Sequence, residues 1–62
     1  MVRVAYSIEE AGEAAGVGRS YVFEEIRAGR LIARKAGRRT LIAAEDLMAW
    51  LKNLPTTAHS PR

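Results

Sequence analysis

Sixty-two residues without one cysteine leave this chain a single small apolar core to hold itself together. A domain of that length buries about 60% of the surface its unfolded chain exposes. Its stability is then on the order of a few kcal/mol. Neither a disulfide framework nor a thiolate metal site is open to it. A carved active-site cavity with a supporting shell is hard to build at this size, which weighs against an enzyme. The rest of the inventory agrees. His59 is the one histidine and has no second ligand beside it, while Ser7 and Ser20 have local uses as a cap and a contact. No cofactor, no metal and no small-molecule substrate are expected.

Periodicity shows where the core comes from. Ser7, Ile8, Glu9 and Glu10 read as a capping box, in which Ser7 and Glu10 satisfy each other's backbone N–H groups. Ile8, Ala11 and Ala15 then share one helical face, and Gly16 can close the helix at positive φ. Gly12 inside it costs about 1 kcal/mol against Ala; it either permits a close helix approach or is simply tolerated. A second helix is predicted over 19–28, with Val22 and Ile26 on one face and Val17 plugging the corner before it. Opposite lie Ser20, Tyr21, Glu24 and Arg27, and Gly29 ends the segment. Two short helices joined by a turn of about three residues form a helix-turn-helix pattern.

Past Gly29 the period changes. Residues 31–36 and 40–42 are strand-like, and Gly37, Arg38 and Arg39 between them predict a hairpin. A last helix begins at Ala43 or Ala44, with Glu45 and Asp46 where the helix dipole favours negative charge. Leu47, Trp50, Leu51 and Leu54 repeat along its apolar stripe, which makes Trp50 a core residue, and Pro55 stops it. One domain over 1–54 and a mobile tail over 55–62 are expected. No apolar run approaches the roughly 18 residues of a membrane span. The first residues lack the long apolar stretch of a signal peptide, so a cytoplasmic protein with no membrane partner is expected.

The formal charge of +3 points mildly to an anionic partner, and the arrangement says more than the total. Six of the ten basic residues fall within 27–39, between acidic stretches at Glu9, Glu10, Glu13 and at Glu45, Asp46. Arg19, Ser20 and Tyr21 open the second helix, where a helix-turn-helix protein reaches base edges. Arg can bond guanine bidentately and Ser can serve base or phosphate; Tyr can lie on sugars and reach a phosphate. The plainer reading makes Arg19 and Ser20 exposed helix-start residues and Tyr21 a lid on the core. Arg34, Lys35, Arg38 and Arg39 put four cations and no acid around one turn. That self-repulsion suits a loop tracking the DNA backbone or entering the minor groove, though charged tips also serve solubility. Glu24 and Glu25 oppose DNA binding unless they form solvated pairs with Arg27 or Arg30, or unless Glu24 accepts from a cytosine amine. Phe23 is placed half-buried at the core edge beside Val22 and Ile26.

Taken in order, these motifs resemble the excisionase-type helix-turn-helix family. They are Tyr6-Ser7-Ile8-Glu9-Glu10-Ala11, Gly16-Val17-Gly18-Arg19-Ser20-Tyr21-Val22, Ile26-Arg27-Ala28-Gly29-Arg30-Leu31, Ala36-Gly37-Arg38-Arg39 and Ile42 before Asp46-Leu47-Met48-Ala49-Trp50-Leu51. The family includes DNA-binding parts of MerR-like regulators and phage excisionases. The resemblance implies a mainly α fold with a small β-hairpin, a winged helix-turn-helix of two short helices, a hairpin wing and a C-terminal helix. It places Arg19, Ser20, Tyr21, Phe23, Glu24 and Arg27 facing groove or phosphate, and Lys35, Arg38 and Arg39 on the wing. Gly18 stands where the family usually has a serine N-cap, and Tyr21 where threonine is usual.

Two functional readings remain. In one the chain binds double-stranded DNA as a transcriptional regulator or an excisionase-like recombination factor, with further copies of itself on repeated sites. In the other it is a protein-interaction adaptor that reuses the fold with little DNA affinity.

Overall fold

Ser7 ends a strand and starts a helix, and the first half of the fold turns on it. In the computed structural model, which describes residues 3–55, strand β1 is Ala5–Ser7 and helix α1 is Ile8–Ala15. The capping box is formed. Ser7 Oγ accepts from the Glu10 N–H at 3.1 Å, and Glu10 Oε1 accepts from the Ser7 N–H at 2.9 Å. Gly16 closes α1 in the left-handed region at φ 78°, its N–H donating to the carbonyls of Glu13 and Gly12. Helix α2, Arg19–Arg27, follows after a short turn, one residue shorter than predicted. Gly18 is its N-cap and offers no side-chain hydrogen bond, so nothing replaces a serine there.

The hairpin consists of β2, Arg34–Ala36, and β3, Arg39–Ala43. Ala36 pairs with Arg39, so the connection is the two residues Gly37 and Arg38, and Arg39 belongs to the strand rather than the turn. Gly37 has φ 64°, the positive value a tight hairpin turn needs at its first position. The strand expected over 31–36 is only half as long. Leu31 donates its N–H to the Glu25 carbonyl at 3.2 Å, which ties it to the end of α2 instead of to a ladder. Its side chain is buried in the core all the same.

Sequence periodicity did not predict β1. It pairs antiparallel with β3, Tyr6 opposite Ile42, giving a three-stranded sheet of order β1-β3-β2. Helix α3, Ala44–Lys52, springs directly from β3, and the Ala44 N–H donates to the Val4 carbonyl at 2.9 Å. Ala11, Val22, Leu31, Ile42, Leu47 and Trp50 form the buried core, flanked by Ile8, Ala15, Val17, Ile26, Leu51 and Leu54. The architecture is a winged helix-turn-helix. No helix among the described residues is long and apolar enough to cross a membrane. The tail expected over 55–62, with His59, lies outside the described residues from 56 onward.

Gly12 packs closely against the turn before α2 and against Val22 on it. A Cβ there would sit 3.0 Å from the Val17 carbonyl oxygen and 3.5 Å from Val22 Cγ2. Helix propensity favours alanine at this position by about 1 kcal/mol, but the Val17 backbone is itself fixed by its N–H bond to the Gly12 carbonyl at 2.9 Å. The steric term therefore wins. Gly12→Ala is expected to lower the thermal midpoint, read by circular dichroism; an unchanged or raised midpoint would show that the turn can give way.

Candidate nucleic-acid interface

At about 100° per residue, α2 turns Val22, Glu25 and Ile26 toward the core. That leaves Ser20, Glu24 and Arg27 on an exposed outward arc. Arg19 and Phe23 form one flank of the arc and Tyr21 the other.

Glu25 was expected to make a solvated pair on the DNA-facing side. It is instead 4% exposed and points inward. Arg30 donates from Nε and Nη2 to its two oxygens at 3.0 and 2.8 Å, and Trp50 donates from Nε1 to Oε1 at 3.0 Å. Hydrogen bonding from Arg30, then from Trp50, holds the carboxyl down at about 2 against the desolvation that opposes ionisation. The Arg30 guanidinium is correspondingly raised, first by its bond to Glu25. Sequence spacing left Arg30 as one of two partners and gave no sign of Trp50, because that contact spans 25 residues.

On the first flank, the Arg19 guanidinium stands 5.1 Å from the Phe23 ring centroid, and its Nε is 3.4 Å from Glu9 Oε2. Phe23 is 38% exposed, and its ring lies beside Arg19. It forms the shelf beneath Arg19. An open groove runs from here to the wing, lined by Ser7, Ile8, Glu9, Arg19, Phe23, Arg39 and Thr40. The base of the wing and one flank of α2 therefore share a surface. On the other flank Tyr21 is 42% exposed, its ring centroid 6.1 Å from that of Trp50 at a 50° tilt. It is at once a partial lid on Trp50 and a surface group.

The wing cations divide. Lys35, Arg38 and Arg39 are exposed. Arg34 donates from Nε and Nη2 to Asp46 Oδ2 at 3.3 and 3.2 Å, so its charge is directed to the first turn of α3. The cluster has no acid within its own stretch of sequence, and Arg34 finds one twelve residues away, on α3. Among the described residues, no group of three or more His, Asp or Glu side chains is arranged to hold a metal ion.

A family model described as a helix-turn-helix domain matches residues 5–55. No curated protein and no solved structure matches the chain.

The Glu25 cluster carries a pH signature. Its carboxyl titrates at about 2 in the folded chain against an ordinary 4.5, so the unfolded chain binds more protons between these values. Stability from this group is complete above about pH 4.5 and is lost as pH falls toward 2. Glu10, lowered chiefly by the Ser7 backbone bond, acts in the same direction. Urea midpoints measured from pH 7 to pH 2 are expected to fall in that acid window. Glu25→Gln should lower the midpoint at neutral pH and flatten the acid decline. An acid limb as steep as that of the parent would mean that Glu25 is not its source.

Proposed function

The chain belongs to the helix-turn-helix domain family, a family of excisionase-like DNA-binding domains, and we propose that it binds double-stranded DNA through α2 and the hairpin wing together. The observation that carries this reading is the continuous surface from the outward arc of α2, across Arg19 and Phe23, to Arg39 at the wing base. In the proposed complex α2 enters the major groove. Arg19 reads guanine, Ser20 bonds base or phosphate, and Tyr21 and Arg27 hold the backbone on either side. Phe23 supports Arg19, and Glu24 accepts from a cytosine amine. Lys35, Arg38 and Arg39 follow phosphates or enter the adjacent minor groove.

Arg34 takes a smaller share of the phosphate contacts than the other wing cations, because two hydrogen bonds tie its guanidinium, still 63% exposed, to Asp46. The adaptor reading loses half its support, since Glu25 contributes no charge to the outer face. The proposed role is that of a binding module in the cytoplasm, a transcriptional regulator or an excisionase-like recombination factor. One such module covers only roughly 600–1,000 Å² of contact surface on DNA, which favours several copies on repeated sites.

Affinity for random duplex DNA at several salt concentrations tests the proposal. With Lys35, Arg38, Arg39 and one or two of Arg19 and Arg27 on phosphates, log K against log salt should have a slope of about −4. Arg38→Ala or Arg39→Ala should reduce that slope by about 1, whereas Arg34→Ala should leave it nearly unchanged. A slope near zero would favour the adaptor instead.

A further inference from the structure

Glu9 has no place in the contact scheme above, yet it sits at the edge of the proposed interface. Its position is well defined. It is the second residue of α1, immediately after Ile8, on a helix start locked by the Ser7–Glu10 capping box. From there its carboxylate crosses to α2 and meets Arg19 at Nε, 3.4 Å away. The two side chains are 70% and 62% exposed. An ion pair this wet adds little to stability, and no unsatisfied buried group needs it. Its presence on a face proposed to meet phosphates is therefore unfavourable unless it does something else.

The geometry points to a positioning role. Resting on the reading of this face as the DNA interface, we infer that Glu9 orients the Arg19 guanidinium for base recognition and so sets sequence discrimination. Arginine is a long side chain with many rotamers, and a free one loses that freedom when it binds. Here the guanidinium is restrained twice, by Glu9 at its Nε and by the Phe23 ring on its face. With the Glu9 carboxylate standing beside Nε as an ion pair at 3.4 Å, the edge turned away from it for a ligand is the one formed by Nη1 and Nη2. That edge carries the parallel N–H pair that matches the O6 and N7 acceptors of guanine. A phosphate can accept from an arginine in almost any orientation, but a base edge cannot. Restraint therefore favours guanine over backbone contact. The carboxylate adds a second bias, because it repels phosphates wherever Arg19 is not seated on a base.

Both biases act on the ratio of specific to random binding, and a one-methylene change separates them. Glu9→Asp keeps the charge but withdraws the carboxylate from Arg19; Glu9→Ala removes both. The probes are a duplex enriched by the parent protein from a randomised library and the randomised duplex itself, at one salt concentration. Thermal melts serve to confirm that the variants remain folded. Glu9→Asp is expected to leave affinity for random duplex unchanged and to cut discrimination roughly fivefold, about 1 kcal/mol, the lower end of what a bidentate base contact is worth. Glu9→Ala should lose discrimination similarly and bind random duplex more tightly. In an Arg19→Ala background Glu9→Asp should change nothing, because it acts through Arg19. Full discrimination in Glu9→Asp, where Arg19→Ala abolishes it, overturns the role of Glu9 and leaves the DNA reading intact. An equal loss on both duplexes for Arg19→Ala removes the base-reading premise, and absence of any duplex binding removes the proposed function itself.

Discussion

A carboxylate with almost no exposed surface organises this domain. Burying an ionised Glu25 is unfavourable unless its oxygens are satisfied, and three donors from two directions satisfy them. Arg30 brings the loop after α2 back onto the helix, and Trp50 brings α3 across to it. The backbone carbonyl of Glu25, in the last turn of α2, accepts from the Arg30 and Leu31 N–H groups, seating Leu31 in the core. One residue thus fixes the exit of α2, the start of the path to the wing and the packing of α3. An apolar residue in its place can fill the volume, but it cannot dictate which way Trp50 and the Arg30 loop must face.

The same arrangement decides how the surface charge is distributed. Arg30, Arg34 and Arg3 each have a carboxylate partner, in Glu25, Asp46 and Glu10 respectively. The basic residues that remain exposed around the proposed DNA face are concentrated at the wing tip and on α2. The ion pairs are shared evenly, Arg3–Glu10 and Arg30–Glu25 away from that face and Arg19–Glu9 and Arg34–Asp46 on or beside it. The asymmetry therefore rests on the cations of that face that have no pair among the described residues, Arg27, Lys35, Arg38 and Arg39.

What could be read from the sequence was local, and what could not was long-range. The Ser7–Glu10 box, the positive-φ glycines at 16 and 29, and Leu47 with Trp50 on one stripe of α3 are all encoded within a turn or two. The outward arc of α2 follows from the same 3.6-residue period, so Ser20, Glu24 and Arg27 were legible. The Arg30 partner of Glu25 was within reach of the sequence, but its burial was not, because the second donor, Trp50, comes from α3. The Arg34–Asp46 pair was out of reach for the same reason, its acid lying on another element. Phe23 shows a subtler limit. Its half-exposed place beside Val22 and Ile26 follows from the period, but its contact with Arg19 does not.

Strand β1 escaped notice because three residues carry too little alternation to register, yet it links the two halves of the proposed interface. Ser7 is both the last residue of β1 and the cap of α1, while Ala43 is both the last residue of β3 and the N-cap of α3. Antiparallel pairing of β1 with β3 therefore sets the start of α1 relative to the wing, and the glycine turn then sets α2 relative to α1. The groove joining Glu9, Arg19 and Arg39 is the product of these two fixed relations. A domain with so thin a core has few ways to hold a wing and a recognition helix in one register. Using one short strand both to complete the sheet and to launch the first helix does this with three residues.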